Sequence, residues 1–276
     1  MAAIEPQLPR AVDLDERWIP RAFARDELLR GLLDGGMAGV VSHPMDNVLW
    51  KIGLLCDGDD VSQFGMTGVD RLSRTQVLEL VAEASGFDPD PRVRIGPVRV
   101  AAERILDACE EAGHRLALAC ERGERVILAT GHPTGPILLY EEVGRLLARH
   151  GVSLLRPREG FSWNEGTHHR QVRYLHGVAV LTDRAAALHT HSAAPMLLML
   201  EEARPDLVFA DHGFAGAAIE EGIETLSIAD VNDPALLVAR ALGRTDTVIV
   251  MDDNVQPEAY WPCFQAMAAG VSARLG

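Results

Sequence analysis

DLVFADHGFAGAAIEEGIETLSIADVND, residues 206–233, decides the fold. Asp206–Ala210 is a short β-prone apolar run, Gly213–Glu221 has helical spacing, and Glu224–Ala229 is β-prone again. The unit then repeats: a helix over Pro234–Leu242, a strand over Thr247–Met251 and a closing helix over Glu258–Leu275. Strands alternating with helices of this length imply crossover connections and a largely parallel sheet. Working back toward the N-terminus, Arg125–Thr130 reads as a strand that stops at Gly131. A helix over Gly135–His150 and a strand over Val152–Leu155 follow. Tyr174–Leu181 and Ala186–His191 read as a strand pair, and Ala194–Ala203 as a helix. Before residue 124 the apolar spacing is helical, at Ala24–Leu33, Asp46–Leu55, Arg74–Ser85 and Val98–Arg122. Asp46 is placed to cap the second of these and Gly86 to end the third. The turn-rich segment around Asp57–Asp70 reads as a surface loop. The expected organisation is a mostly helical region over residues 1–123 and a Rossmann-like α/β domain over 124–276, with helices on both faces of its sheet.

In an open α/β sheet, ligands bind beyond the carboxyl ends of the strands. The segments expected there are Thr130-Gly-His-Pro-Thr-Gly135, His189-Thr-His-Ser192, Asp211-His-Gly213, Asp230-Val-Asn-Asp233 and Asp252-Asp-Asn254. Together they deliver the donors a polar pocket needs. The turn Thr130, Gly131, His132, Thr134 and Gly135 opens a helix whose free N–H groups suit an anion, although Thr134 could equally cap that helix. His189 and His191, two apart on a strand, would face the same way; Ser192 would cap the next helix or touch substrate. Asp211 is a metal ligand, a base or a cap. One acid before Pro234 must cap that helix, and Asp233 is the expected cap, which frees Asp230. Asp252 and Asp253, as adjacent carboxylates, call for a shared cation. The long segment Arg156–Arg173 offers Arg156 and Arg158 as a lid over an anionic substrate, or forms a surface hairpin. His43–Asn47, in the helical half, could reach across to the pocket but is not counted among its residues.

Composition narrows the function. The net charge of −14 over 276 residues disfavours nucleic-acid binding, which depends on Lys and Arg. None of the apolar runs reaches the roughly 18 residues of a membrane span, and MAAIEPQLPR is no signal peptide. The expected location is the cytoplasm. Cys56, Cys109, Cys120 and Cys263 have no C-x-x-C spacing and read as reduced thiols. Lys51 is the only lysine, which argues against Schiff-base and P-loop chemistry.

Residues 206–233, with Thr130–Gly135 and Met251–Asn254, resemble an actinobacterial family of phosphatases. That resemblance transfers no residue roles. The layout, a helical part before an Asp/Asn-lined α/β sheet, also resembles the DUF89-type metal-dependent phosphatases. The aspartyl-phosphate signature D-x-D-x-[TV] is absent. The resulting expectation is a metal-dependent phosphomonoesterase acting on a small phosphorylated metabolite. Its divalent ion would be held by Asp211, Asp230, Asp252, Asp253, His189 and His191, with Mg²⁺ or Mn²⁺ favoured and Zn²⁺ or Fe²⁺ as alternatives. Asp211, His212 and His132 would be catalytic, with His132 or His212 protonating the leaving group. Two rivals stand beside it. One is a metal-dependent amidohydrolase: His132-Pro133 is similar to the zinc deacetylases of LmbE type, but Thr134-Gly135 replaces their two aspartates. The other is a non-catalytic sensor of a nucleotide or sugar phosphate. The sequence sets no oligomeric state.

Overall fold

A computed structural model describes residues 23–90 and 92–275; MAAIEPQLPR lies outside the described residues. The helical half begins with α1 (Arg25–Asp34), β1 (Gly39–Val40), α2 (Met45–Cys56) and α3 (Arg74–Ser85). It ends with β2 (Arg99–Val100) and α4 (Ala102–Arg122). Ser73 and Gln76 form a capping box at the start of α3, and Gly86, with φ of 84°, ends it in the left-handed conformation a side chain resists. Asp46 is not the cap of α2: Pro44 occupies that position and Asp46 lies inside the first turn.

The α/β half runs β3 (Arg125–Leu128), α5 (Ile137–Arg149), β4 (Ser153–Leu154), β5 (Ser162–Glu165), β6 (His168–Leu175), β7 (Val178–Asp183) and β8 (Ala186–Ala187). It continues α6 (Ala194–Glu202), β9 (Leu207–Asp211), α7 (His212–Glu220), β10 (Thr225–Asp230), α8 (Ala235–Ala241), β11 (Val248–Met251) and α9 (Trp261–Leu275). The main sheet has the order β11-β10-β9-β3-β4, and every pairing in it is parallel. Strands β9, β10 and β11 are buried along their whole length, as expected when helices cover a parallel sheet. Helices α4, α5 and α9 pack as one group and α6, α7 and α8 as another. The crossing of α4 with α9 is close because Gly113 and Gly270 meet there; a Cβ on Gly113 would strike the Met267 backbone. Among the described residues no helix is long and apolar enough to cross a membrane.

Part of the expected sheet is a different structure. Tyr174–Leu181 is not one strand: it holds the end of β6, a turn at His176-Gly177 and the start of β7. These join β5 and β8 in a separate antiparallel sheet, β5-β6-β7-β8. Gly177, at φ of 91°, supplies the turn that apolar counting passes over. His189 and His191 therefore lie in a loop beyond β8, not on a parallel strand. The two sheets meet where Ala129, just past β3, bridges to Ala179 of β7. The segment around Asp57–Asp70 is not a loose surface loop: Phe64, Met66 and Val69 are buried, and Gly216 is needed because a Cβ there would collide with the Phe64 carbonyl.

Candidate functional site

From β3 the chain returns through α5 to β4 on one side, while β9, β10 and β11 are laid down successively on the other. The order reverses between β3 and β9, and a crevice opens at such a switch point. The two strand ends are tied across it by Asp211. Its Oδ1 accepts from Gly131 N–H at 2.6 Å and faces His212 Nδ1 at 2.8 Å. Its Oδ2 accepts from the hydroxyls of Thr130 at 2.6 Å and Tyr140 at 3.0 Å. Asp211 is inaccessible to solvent, and all four donors belong to the protein. The carboxylate thus fixes His212 with Nε2 pointing into the crevice. His212 itself has φ of 46°, a left-handed conformation that a non-glycine residue adopts only under constraint.

Three imidazoles converge there. His189, His191 and His212 each offer a ring nitrogen, and the three atoms lie within 4.8 Å of one another. Two glycines permit the approach: a Cβ on Gly213 would strike the His191 carbonyl, and one on Gly131 the Thr190 carbonyl. His132 stacks on His189 with ring centroids 4.5 Å apart, and Phe64 meets the edges of His191 and His212 at 5.0 and 5.5 Å. Carboxylates close the other side. Asp233 Oδ2 is 3.5 Å from His212 Nε2, Asp253 Oδ2 is 3.8 Å from it, and Asp253 Oδ1 is 3.4 Å from His132 Nδ1.

The electrostatics are those of a crowded site, buried at His212, half-buried at His191 and exposed at His189. Burial would lower the His212 pKa, but hydrogen bonding to Asp211 and Asp233 outweighs it and holds the imidazole well above its ordinary value. Burial and the neighbouring His212 push His191 down to about 4. Asp233 remains far below the usual carboxylate range: burial opposes ionisation, but His212 and Lys51 overcome it. Asp230 is raised well above that range by burial and by the charge of Asp253.

The helical half contributes directly. The loop before α2 brings His43 Nε2 to 3.1 Å from Asp230 Oδ2, and Ser42 donates its N–H and hydroxyl to Asp252 at 2.6 and 2.9 Å. Asn47 accepts from Asn232 at 2.8 Å. Lys51, on α2, donates to Asp233 Oδ1 at 3.1 Å and is largely shielded from water. Asp233 is therefore not a helix cap: α8 has no side-chain cap, and both Asp233 oxygens face cations of the site. Sequence reasoning passed over Lys51, whose one available signal was its singularity among 26 basic residues. It set aside His43–Asn47 because nothing local shows that a helix N-terminus 190 residues away returns to the sheet.

Thr130, Gly131 and His132 are buried at the crevice, Gly135 backs onto Asp253 and Tyr260, and Thr134 is exposed. Ser192 accepts from Ala194 N–H at 3.2 Å at the start of α6. Asp252 spends its oxygens on Ser42 and on Asn254 N–H. Arg156 lies over the Tyr174 ring and pairs with Glu159, while Arg158 binds the Leu198 carbonyl and Glu201 on α6. The 156–173 segment is a hairpin whose arginines are engaged outside the histidine cluster. An open cavity of about 660 Å³ leads to the imidazoles between Asp60, Val61 and Gly65 on one side and His189–Ala194 on the other.

No solved structure matches this chain. It is 36% identical over 250 residues, 88% of its own length and 94% of the other's, to the phosphatase SCO2771 of Streptomyces coelicolor. Residues 23–271, nearly the whole described chain, match the family described as Phosphatase, and the chain belongs to that family.

Proposed function

We propose that the protein is a metal-dependent phosphomonoesterase acting on a small phosphorylated metabolite. One observation carries this reading: three imidazole nitrogens within 4.8 Å of one another at the sheet's switch point, one of them held by a buried carboxylate. A histidine whose Nδ1 donates to a carboxylate is the usual partner of a catalytic ion. His212 Nε2 points between the carboxylates of Asp233 and Asp253, a place where a cation would be favoured. His189, His191 and His212 would hold the ion, with Asp233 beside them. When bound, such an ion neutralises phosphoryl oxygens and lowers the pKa of water.

The chain's own groups supply the rest. Lys51, 3.1 Å from Asp233, is placed to hold a phosphoryl oxygen as a point charge. The N–H groups that open α5 after Gly135 favour the same anion. His132, with Nδ1 beside Asp253, is placed to carry a proton and deliver it to the leaving alkoxide. Asp211 does not touch substrate; it orients His212. The hairpin arginines are engaged elsewhere, so substrate recognition rests on the cavity between the 57–70 segment and His189–Ala194.

The test is release of inorganic phosphate from a panel of phosphometabolites with Mg²⁺, Mn²⁺, Co²⁺ or Zn²⁺. Turnover should vanish on chelation and return with one of these ions. Full turnover after exhaustive chelation would overturn the metal, and binding of a phosphometabolite without phosphate release would favour a sensor.

A further inference from the structure

The crevice holds more donors than one cation can use. His189, His191 and His212, with Asp233 beside His212, would already offer one ion the four donors of a tetrahedral site. Asp230 and Asp253 remain, both almost completely buried, at the carboxyl ends of the neighbouring strands β10 and β11. Asp230 is only half satisfied. His43 meets its Oδ2 at 3.1 Å, while its Oδ1 is buried with no hydrogen-bond partner, although the residue is only 2% exposed. A fully buried carboxylate oxygen without a donor, next to a second buried carboxylate, is an expensive arrangement unless a cation or a proton lies between them.

Neighbouring groups hold this pair rigid without filling it. Asp253 follows Asp252, which is clamped by Ser42, and the Asp253 carbonyl accepts from Tyr260 at 2.9 Å. Asp230 ends β10 in direct register with Met251, the last residue of β11, and Asp253 follows two residues beyond that pairing. Asp252 cannot substitute, because its oxygens are committed to Ser42 and Asn254.

We infer that Asp230 and Asp253 form a second divalent-cation site, oxygen-ligated and suited to Mg²⁺ or Mn²⁺, beside the imidazole site. It rests on the metal-dependent reading above. Hard cations of this kind are bound through one or two carboxylates and retain waters, whereas the imidazole trio suits a borderline ion such as Zn²⁺. His43 acts here as a positioning residue that occupies Asp230 Oδ2 and leaves Oδ1 free. Asp253, 3.8 Å from His212, stands between the two sites.

The experiment is Mn²⁺ binding to the metal-stripped full chain, followed by equilibrium dialysis with elemental analysis and by electron paramagnetic resonance. The parent should bind two equivalents, with a signal broadened by coupling between the ions. Asp230→Asn and His191→Ala should each bind one, with an isolated six-line signal; Asp253→Asn serves if Asp230→Asn does not fold. One equivalent in the parent, kept in Asp230→Asn and lost in His191→Ala, would overturn the second site and leave the first intact. One equivalent lost in both variants would mean a single shared site and would also overturn it. No binding by the parent would overturn both readings.

Discussion

Replacing Asp211 tests the assignment of this residue as an orienting group. In Asp211→Ala, Gly131 N–H and His212 Nδ1–H lose their acceptor in a fully buried place, and the Thr130 and Tyr140 hydroxyls lose theirs. The hydroxyls can turn to other acceptors; the two N–H groups cannot. At about 1–3 kcal/mol per stranded donor, and about 3–5 kcal/mol for breaking a buried pair, the loss should be about 3–5 kcal/mol. Asp211→Asn keeps one oxygen for the two N–H groups and turns its amide to the hydroxyls, so only charge assistance is lost, about 1–2 kcal/mol. Urea unfolding of the metal-free variants reads both values. Because Asp211 acts through His212, either change should weaken metal binding about 10- to 100-fold and not abolish it. An alanine variant within about 0.5 kcal/mol of the parent, the range of an ordinary surface change, would refute the argument. So would an asparagine variant that binds no metal, which would make Asp211 a direct ligand.

Lys51→Met should raise KM for the phosphorylated substrate about tenfold or more, the loss of one charged hydrogen bond of about 1.5–3 kcal/mol, with a smaller change in kcat; an unchanged KM would remove Lys51 from the anion site. Asp233→Ala should cut turnover strongly, because the residue faces His212 and Lys51 and does not cap α8; steady-state kinetics would show the reverse if it were only structural. Gly213→Ala should force the His191–Ser192 backbone away from α7 and lower both stability and metal affinity, measurable by thermal melting and dialysis. Far from the site, Asp206 is held at about 2 by hydrogen bonds from the Arg125 side chain and backbone. A carboxyl depressed on folding contributes stability above its unfolded value of about 4 and loses it as pH falls toward 2. The pair is exposed, so Asp206→Asn should remove less than about 1 kcal/mol at neutral pH and flatten that acid limb.

The parallel sheet was legible because β9, β10 and β11 are short apolar runs separated by helices of regular length, a local pattern. The strand ends at Thr130, Asp211, Asp230 and Asp252 followed from it directly. What failed was of two kinds. The antiparallel β5–β8 sheet is built from two-residue turns in sequences that mix charge and apolar residues, such as His168–Leu175, where period-two burial is weak. The contribution of Ser42, His43, Asn47 and Lys51 depends on tertiary return of α2 to the sheet, and nothing in the spacing of that helix distinguishes its site face from its core face. Asp233 was misread for a related reason: an acid before proline fits a cap locally, and only the position of Lys51 and His212 shows that its oxygens are occupied otherwise.

The carboxylates of the crevice divide by how they are satisfied, and that division separates architecture from chemistry. Asp211 has four donors and Asp252 three, all from the protein, so removing either breaks the fold's own bonds. Asp233 faces Lys51 and His212, Asp253 faces His132 and His212, and Asp230 meets His43 through Oδ2 alone. A fold under no functional demand has no reason to retain them, since replacing buried charges by apolar groups is often neutral or stabilising. Together with the five imidazoles His43, His132, His189, His191 and His212, they line the part of the crevice where the proposed cations would sit. Lys51 and the proton on His212 offset part of the charge near Asp233, and nothing comparable reaches Asp230 Oδ1 among the described residues. The imbalance is therefore localised, and it lies where the fold brings the ends of β10 and β11 together.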